Sequence, residues 1–436
     1  MILSIIASVI VWGTVGITAI RVFNAGGGIR KSDNKIVSFL LADKSRTINE
    51  PHIAGKKELL YIFFAALAFR VFVFAASSIP IALFNGTDKI SIMDIVHKWK
   101  QWDATGYNNM IKGGYKEMYE RGEYVTLVFL PLYSFIARIF NFAIQNTQIS
   151  ALLTSSLCYS AACCFMYKLV LLDYSRETAK KALIYISVFP FGFFFGAMLT
   201  ESTFFLTTAA SFYFIRRHNW LMVGVFGIFA ALSRISGILI LFPAAVEFIE
   251  YYGIFKMLKD KQIKQTLGLV FKKGSLILLS LFGVFIYLYC NYKTSGDWFK
   301  FLELEKKIWN QENCYFGRCI QIVIRELMSE NRSIMVKVSA FLPDLGGIIF
   351  MLAMMLYGAR RNKNMYTVYI IIYFIINAGI TWPMSIARYT LCALPLFIFL
   401  ADFTERHKKF HTPIMVSFAI LFGIYLTGYL FTKQIM

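Results

Sequence analysis

Charged residues are scarce in this sequence. They make up 16% of the 436 residues, while 58% of the residues are hydrophobic and 17% are aromatic. Soluble domains carry about 25% charged residues, so this chain lacks the charge that would cover a globule of its size with a hydrated surface. The composition excludes an ordinary soluble protein and predicts an all-α, polytopic membrane protein.

Acidic residues are the scarcer of the two charge types. The chain has 25 Asp and Glu against 45 Lys and Arg, which gives a formal net charge of +20. In a soluble protein this excess would suggest nucleic-acid binding. Here the basic residues cluster in short segments between apolar runs, as the positive-inside rule requires of cytoplasmic loops. We therefore predict membrane lipid, and no nucleic acid, as a partner.

Several familiar catalytic and metal-binding motifs are also missing. There is no G-x-x-x-x-G-K-[ST], no H-E-x-x-H and no G-x-S-x-G, so ATPase, zinc-protease and hydrolase mechanisms lack their motifs. The seven cysteines show no metal-ligand spacing, and we predict no metal and no cofactor. Cys314 and Cys319 lie in a long polar segment, and the sequence is compatible with two alternatives, a local disulfide or two free thiols.

Long apolar runs dominate what is present. A spanning helix needs about 20 apolar residues, and by this length the sequence predicts about 12 or 13 membrane helices. The uncertain one is 124–142, where Pro131 and Arg138 favour a helix lying at the membrane surface. The other predicted spans are 1–22, 59–84, 148–171, 182–199, 202–215, two helices within 220–252, 274–291, 339–358, 365–381, 387–402 and 413–431.

Charge counting orients these spans. Residues 1–22 form the first span, and 23–58 form a basic loop that the positive-inside rule places in the cytoplasm. Residues 59–436 make up the remaining membrane domain. Within it, the polar segments 85–123 and 292–338 fall outside the membrane, on the extracytoplasmic face. The same alternation predicts that Asp103, Glu201, Arg234 and Arg388, which were not used to set it, meet on that outer face.

The first outer segment contains the most polar, tryptophan-rich stretch of the chain. Asp103 lies there, where a carboxylate can act as a general base or simply cap a helix. Trp99, Trp102 and Tyr107 offer flat faces that suit either a sugar ring or the membrane interface. Lys98 is a nearby cation and a candidate substrate contact.

Three further ionisable residues are candidates because charges at membrane depth need partners. Arg234 can bind a phosphate bidentately, or it can form an ion pair with Glu201. Arg388 is a second candidate phosphate ligand, or it extends to lipid headgroups. Glu201 is a candidate substrate contact, or a helix N-terminal carboxylate stabilised by the helix dipole.

Short motifs along most of the chain resemble the PIG-V-like mannosyltransferases, a family that includes the second mannosyltransferase of GPI-anchor synthesis and bacterial relatives. The matching segments are QWDATGY (101–107), GY (114–115), VFLPLY (128–133), LTES (199–202), AALSR (230–234), GDWFKF (296–301) with Trp309, and SIARY (385–389) with Pro395. The sequence departs from the family pattern at Gly106, where the family has an aromatic residue, and at Ser134, where it has proline. These departures leave the sugar and the acceptor open.

The resemblance implies a GT-C-type inverting glycosyltransferase in a bacterial plasma membrane, with its active site facing outside. Its donor would be a polyprenyl-phosphate-linked sugar, by resemblance mannose, and its acceptor a glycolipid or glycan. Asp103 would be the general base, and Arg234 and Arg388 would bind the lipid phosphate, so no metal or nucleotide is required. A transporter or flippase of lipid-linked sugars is the alternative, although we find no repeated halves of the kind many transporters have.

Overall fold

The structure is a computed structural model that describes residues 1–27, 52–86, 89–310, 312–381, 385–431 and 435. Within these ranges there is no β-strand, and one isolated bridge joins Asn313 to Ile380. The prediction of an all-α protein is therefore confirmed for this part of the chain. Most of the predicted basic loop 23–58 lies outside the described residues.

The helices follow one another with short connections. In the first half of the chain, the α-helices are Ile2–Ala25, Lys56–Ala76, Ser78–Asn85, Ile92–Lys98, Ala104–Glu120, Pro131–Ile144, Thr147–Leu171, Arg176–Val188 and Glu201–Arg216. In the second half they are Trp220–Ser233, Leu241–Tyr252, Ile254–Lys259, Ile263–Leu269, Ser275–Leu278, Leu281–Ser295, Lys300–Trp309, Phe316–Met328, Ile334–Val336, Leu342–Gly358, Asn364–Asn377, Ile386–Cys392, Pro395–Arg406 and His411–Leu430. The short 3₁₀ and π segments are Tyr124–Val128, Gly192–Gly196, Ile235–Ile240, Val270–Gly274, Lys337–Phe341 and Lys408–Phe410.

Six of the described helices are long and apolar enough to cross a membrane, and eight qualify when each of two bent helix pairs is taken as one span. Apolar side chains cover their outer surface. On Lys56–Asn85, for example, Phe64, Phe72 and Leu83 are all more than half exposed. A surface of this kind is suited to lipid rather than water, so the chain has the architecture of a multi-pass membrane protein. The higher count of 12 or 13 spans stays a prediction.

The predicted span 182–199 is wrong as a continuous helix. The Arg176–Val188 helix stops just before Phe189, which adopts extended backbone (φ −51°, ψ 143°). The cause is Pro190, because a proline disfavours the α conformation in the residue before it. The segment that follows, residues 189–200, contains only a 3₁₀ turn, and nearly all of its side chains are buried.

The uncertain stretch 124–142 contains a 14-residue helix, Pro131–Ile144. At 1.5 Å per residue it is about 21 Å long, too short to cross a hydrocarbon core of about 30 Å. Its Phe135 and Phe142 side chains are exposed, whereas Tyr133 is completely buried. The placement of this helix at the membrane surface stays a prediction.

The long apolar run 220–252 consists of two helices, as predicted. The Trp220–Ser233 helix ends at Arg234, whose extended backbone (φ −150°, ψ 146°) separates it from a 3₁₀ turn and the Leu241–Tyr252 helix. The break places the guanidinium of Arg234 between helix ends.

The two polar segments on the predicted outer face are largely helical. Residues 85–123 contain Ile92–Lys98 and Ala104–Glu120, and residues 292–338 contain Lys300–Trp309 and Phe316–Met328. Cys314 and Cys319 are both free thiols. Burial raises the pKa of Cys319 to about 12, so its thiol stays protonated at neutral pH.

Candidate functional site

Four charged side chains from distant parts of the chain meet at one end of the helical bundle. An Arg234 Nη1 hydrogen bond to Glu201 Oε1 measures 2.8 Å, and Arg388 Nε donates to the same oxygen. Arg388 Nη1 also lies 3.6 Å from Asp103 Oδ2. The structure therefore brings together the four residues that charge counting placed on one face, and their formal charges sum to zero.

Glu201 joins the two arginines. It is the first residue of the Glu201–Arg216 helix and its side chain is fully buried. Its second carboxylate oxygen, Oε2, has no hydrogen-bond partner within the described part of the chain. Since a buried carboxylate is costly without a cation, Glu201 holds both guanidinium groups in place. The ion-pair interpretation of Arg234 is thus what the structure contains, and phosphate binding by Arg234 stays a prediction.

Asp103 is the accessible carboxylate of the cluster. It occupies the N-cap position of the Ala104–Glu120 helix, but its side chain makes no capping hydrogen bond. Its side chain is 36% exposed, against 0% for Glu201. The two carboxylates therefore differ in what they can do: Glu201 is enclosed by arginines, whereas Asp103 can be reached by a molecule entering the site.

Arg388 is held by a residue that the sequence analysis missed. It lies on the short Ile386–Cys392 helix, and the first turn of that helix donates the Ala387 N–H to Asp344 Oδ1 at 2.9 Å. Asp344 is 1% exposed and lies near the start of the Leu342–Gly358 helix. The signal in the sequence was an acidic residue within a predicted apolar span, which is a mark of function or of a fixed partner.

The irregular segment 189–200 forms the floor of the cluster. The guanidinium of Arg388 lies 4.9 Å from the ring centre of Phe194, and Trp102 stacks near the same ring at 6.5 Å. Arg70 supports this segment from below, because its Nη1 donates to the Gly192 carbonyl at 2.7 Å. The break in the predicted span 182–199 is therefore what places an aromatic ring beneath the arginine.

Trp102 has a strained backbone. Its φ is +45°, in the left-handed region that residues with side chains seldom adopt. Its ring also meets Tyr429 edge-on, with ring centres 5.3 Å apart. The turn directs the chain so that Asp103, the next residue, lies beside Arg388.

Trp99 does not offer the sugar-binding face that was predicted for it. Its side chain is 1% exposed and packs against Phe74 and Tyr429. Its indole Nε1 donates to Ser77 Oγ at 3.1 Å, and its carbonyl accepts from the Tyr429 hydroxyl at 2.8 Å. Trp99 is thus part of the core that supports the turn leading to Trp102 and Asp103.

Tyr107 is also buried, and the aromatic residue that contacts it fills the space beside Gly106. The Tyr107 ring lies 4.7 Å from that of Phe129 and 5.4 Å from that of Tyr133. Burial raises the pKa of Tyr107, so it stays a neutral phenol. A Cβ at Gly106 would lie 2.2 Å from the Phe129 ring. Phe129 therefore occupies the space in which an aromatic residue at position 106 would need to fit.

Lys98 lies beside the cluster without joining it. Its ammonium group is 4.6 Å from the ring centre of Phe431, and within the described residues it forms no ion pair. The predicted role of Lys98 as a substrate contact has no geometric support here.

No metal site competes with this cluster: the described residues contain no group of three or more His, Cys, Asp or Glu side chains that could hold a metal ion. No known protein family, curated protein or solved structure matches the chain. What the structure offers instead is an accessible carboxylate, two arginines held by a buried carboxylate, and an exposed apolar surface.

Proposed function

We propose that this protein is an integral membrane glycosyltransferase of the GT-C type, which transfers a sugar from a polyprenyl-phosphate donor to a glycolipid or glycan acceptor at the outer face. The observation that carries the proposal is the Asp103–Arg388–Glu201–Arg234 cluster. A partly exposed carboxylate, Asp103, lies 3.6 Å from Arg388, one of two arginines that the buried Glu201 holds in position.

Each side chain has a part in this reaction. Asp103 takes the proton from the acceptor hydroxyl, whose oxygen attacks the anomeric carbon of the sugar. The bond between that carbon and the phosphate oxygen breaks, and its electron pair leaves with the lipid phosphate. Arg388 and Arg234 stabilise the charge that develops on this phosphate, as preorganised donors do in a site with little water. Attack opposite the leaving phosphate inverts the anomeric centre.

The exposed apolar surface fits the same proposal. A polyprenyl chain enters from the bilayer, and the Pro131–Ile144 helix presents apolar side chains next to the segment that carries Asp103. Holding both lipid substrates at the membrane makes the transfer effectively intramolecular. By resemblance, mannose is the sugar we propose first.

The test is an Asp103→Asn variant, purified and supplied with polyprenyl-phosphate mannose and membrane glycolipid extract. We expect the turnover rate to fall by about 10² to 10⁴, the usual contribution of a general base, while donor binding stays within a few-fold of wild type. Asp94→Asn is the matched control, because Asp94 is a solvent-exposed carboxylate that caps the neighbouring helix through Ser91.

Two results would count against the proposal. Undiminished transfer by Asp103→Asn would remove Asp103 from the role of base. Movement of a fluorescent lipid-linked sugar across proteoliposomes, without any transfer by the wild-type protein, would favour the transporter instead.

A further inference from the structure

A second charged region lies at the end of the bundle opposite Asp103. The Pro395–Arg406 helix follows directly after the segment that carries Arg388, and its 12 residues extend about 18 Å away from it. At its far end is a cavity of about 540 Å³. The lining residues are Arg361, Glu405, Arg406, His407 and Lys408.

The lining of this cavity is strongly cationic. Arg361, Arg406 and Lys408 each carry a positive charge, whereas Glu405 is the one carboxylate among the five lining residues. The charge of Glu405 is already matched, because its Oε2 lies 2.6 Å from Lys181 Nζ. Arg406 is likewise paired, with Asp402, so among the described residues the unneutralised positive charge of the lining is that of Arg361 and Lys408.

Two of the cations have no acidic partner among the residues that the structure describes. Within the described residues, no carboxylate lies within 4.0 Å of the charged groups of Arg361 or Lys408. Arg361 instead lies over the Tyr357 ring, 4.8 Å from its centre. Arg361 is partly buried whereas Lys408 is exposed, so the surrounding protein reduces the screening of the Arg361 charge, and Lys408 adds a second positive charge at the cavity mouth.

The third cation has an unused donor. Arg406 donates its Nε to Asp402 at 3.0 Å, but its Nη2 is buried and has no hydrogen-bond partner in the described part of the chain. A buried N–H without an acceptor is destabilising unless a ligand or water supplies one. Guanidinium donors match phosphate oxygens in geometry and charge.

We propose that this cavity binds a phosphate-bearing anion between the ends of the Leu342–Gly358 and Pro395–Arg406 helices, through Arg361, Arg406 and Lys408. The two cations without an acidic partner among the described residues, Arg361 and Lys408, favour a ligand with more than one negative charge. A volume of about 540 Å³ lies in the ordinary range of ligand pockets, so it accommodates a diphosphate or a phosphate with an attached organic group. A lipid headgroup and a soluble phosphate compound share this chemistry. Basic pockets between membrane helices are known to take anionic headgroups.

The experiment compares an Arg361→Gln/Lys408→Gln double variant with Lys409→Gln. Lys409 is the adjacent cation; it lies over the Phe410 ring and does not line the cavity. Calorimetric titration of the full-length, detergent-purified proteins with pyrophosphate at constant ionic strength should show binding by wild type and Lys409→Gln. We expect about tenfold or greater loss in the double variant, since hydrogen bonds to charged groups are removed. Since both variants retain Arg234 and Arg388, a difference in pyrophosphate binding between them is attributed to the cavity and not to the Arg234–Arg388 cluster.

A second measurement separates the two sources of phosphate. Native mass spectrometry from nanodiscs of phosphatidylcholine and phosphatidic acid should show retained phosphatidic acid, lost in the double variant, when the ligand is a headgroup. Pyrophosphate binding without retained lipid would assign a soluble phosphate compound. Equal binding of both probes by the double variant and Lys409→Gln, or no binding by wild type, would overturn the proposal.

Discussion

At the scale of single residues, burial separates functional groups that look alike in the sequence. Asp103 and Glu201 are both acidic residues near helix starts, yet one is accessible and the other is enclosed by two arginines. Charge counting predicted that they would share a face because the alternation of oriented spans placed both residues on the outer side. It could not predict which carboxylate would remain open, since that depends on how distant helices pack around each side chain.

Asp344 gives the sharpest prediction at this scale. Replacing it with alanine leaves the buried Ala387 N–H without an acceptor, which should cost about 1–3 kcal/mol of stability and loosen the helix that carries Arg388. We expect a higher KM for the lipid donor in the transfer assay. Asp344→Asn should restore much of the stability and bring KM back towards the wild-type value, because its amide oxygen still accepts the hydrogen bond.

A purely structural role for Asp344 predicts something different. In that case both variants would lower the thermal unfolding temperature, and KM for the donor would be unchanged in the protein that remains folded. Measuring the unfolding temperature and KM on the same preparations distinguishes the two.

At the scale of elements, the arginine cluster depends on one close helix contact. The Leu342–Gly358 helix packs against Ile386–Cys392 at Gly347, where a Cβ would lie 2.8 Å from Thr390 Oγ1 and 3.3 Å from Ala387 Cα. Gly346, one residue earlier, has nothing within 4 Å of the equivalent position. The two glycines therefore allow a controlled comparison on one helix, because an added methyl group meets neighbouring atoms at Gly347 and none at Gly346.

Gly347→Ala should displace the helix that carries Arg388, whereas Gly346→Ala should be neutral. We expect the first variant to lose about 1–3 kcal/mol of stability, the usual cost of overpacking, and to transfer sugar more slowly. Thermal unfolding and initial rates measured side by side test this. Equal behaviour of the two variants would show that the contact does not control the position of Arg388.

The segment 189–200 shows where prediction of elements from sequence failed. Its composition is as apolar as that of a true span, so hydropathy alone predicted a helix from 182 to 199. Pro190 and the glycines at 192 and 196 were visible in the sequence, but their effect depends on Arg70 supplying donors to the freed carbonyls. That partner comes from another helix, which no local pattern can indicate.

At the scale of the whole molecule, the class of protein was predictable, whereas the count of 12 or 13 spans stays a prediction. Apolar content and run length identified a multi-pass membrane protein, because those quantities need no knowledge of packing. Several predicted spans correspond to helices too short for the length criterion, such as Trp220–Ser233 and Asn364–Asn377. Broken and short helices are tolerated inside a bundle when neighbouring groups satisfy their ends.

The proposed orientation can be tested directly. Single cysteines introduced at Lys116 and Lys307, both exposed and in the polar segments, should react with a membrane-impermeant maleimide on intact cells. Lys264 lies between the predicted spans 220–252 and 274–291, in a segment of six lysines and one aspartate. A cysteine there should react only after the cells are opened, because basic loops are retained in the cytoplasm. The unmodified chain measures the background from native cysteines. The reverse pattern would place Asp103 inside and contradict the proposed reaction.

The neutral formal charge of the four-residue cluster has a consequence for turnover. In the proposed reaction a phosphodiester enters with one negative charge and leaves as a phosphomonoester with two, while Asp103 gains the acceptor's proton. The total charge within the site is thus the same before and after sugar transfer. It returns to its resting value only when the lipid phosphate departs and Asp103 releases its proton. The 36% exposure of the Asp103 side chain gives that proton a route to the outer solution, so each catalytic cycle would acidify the outer face by one proton.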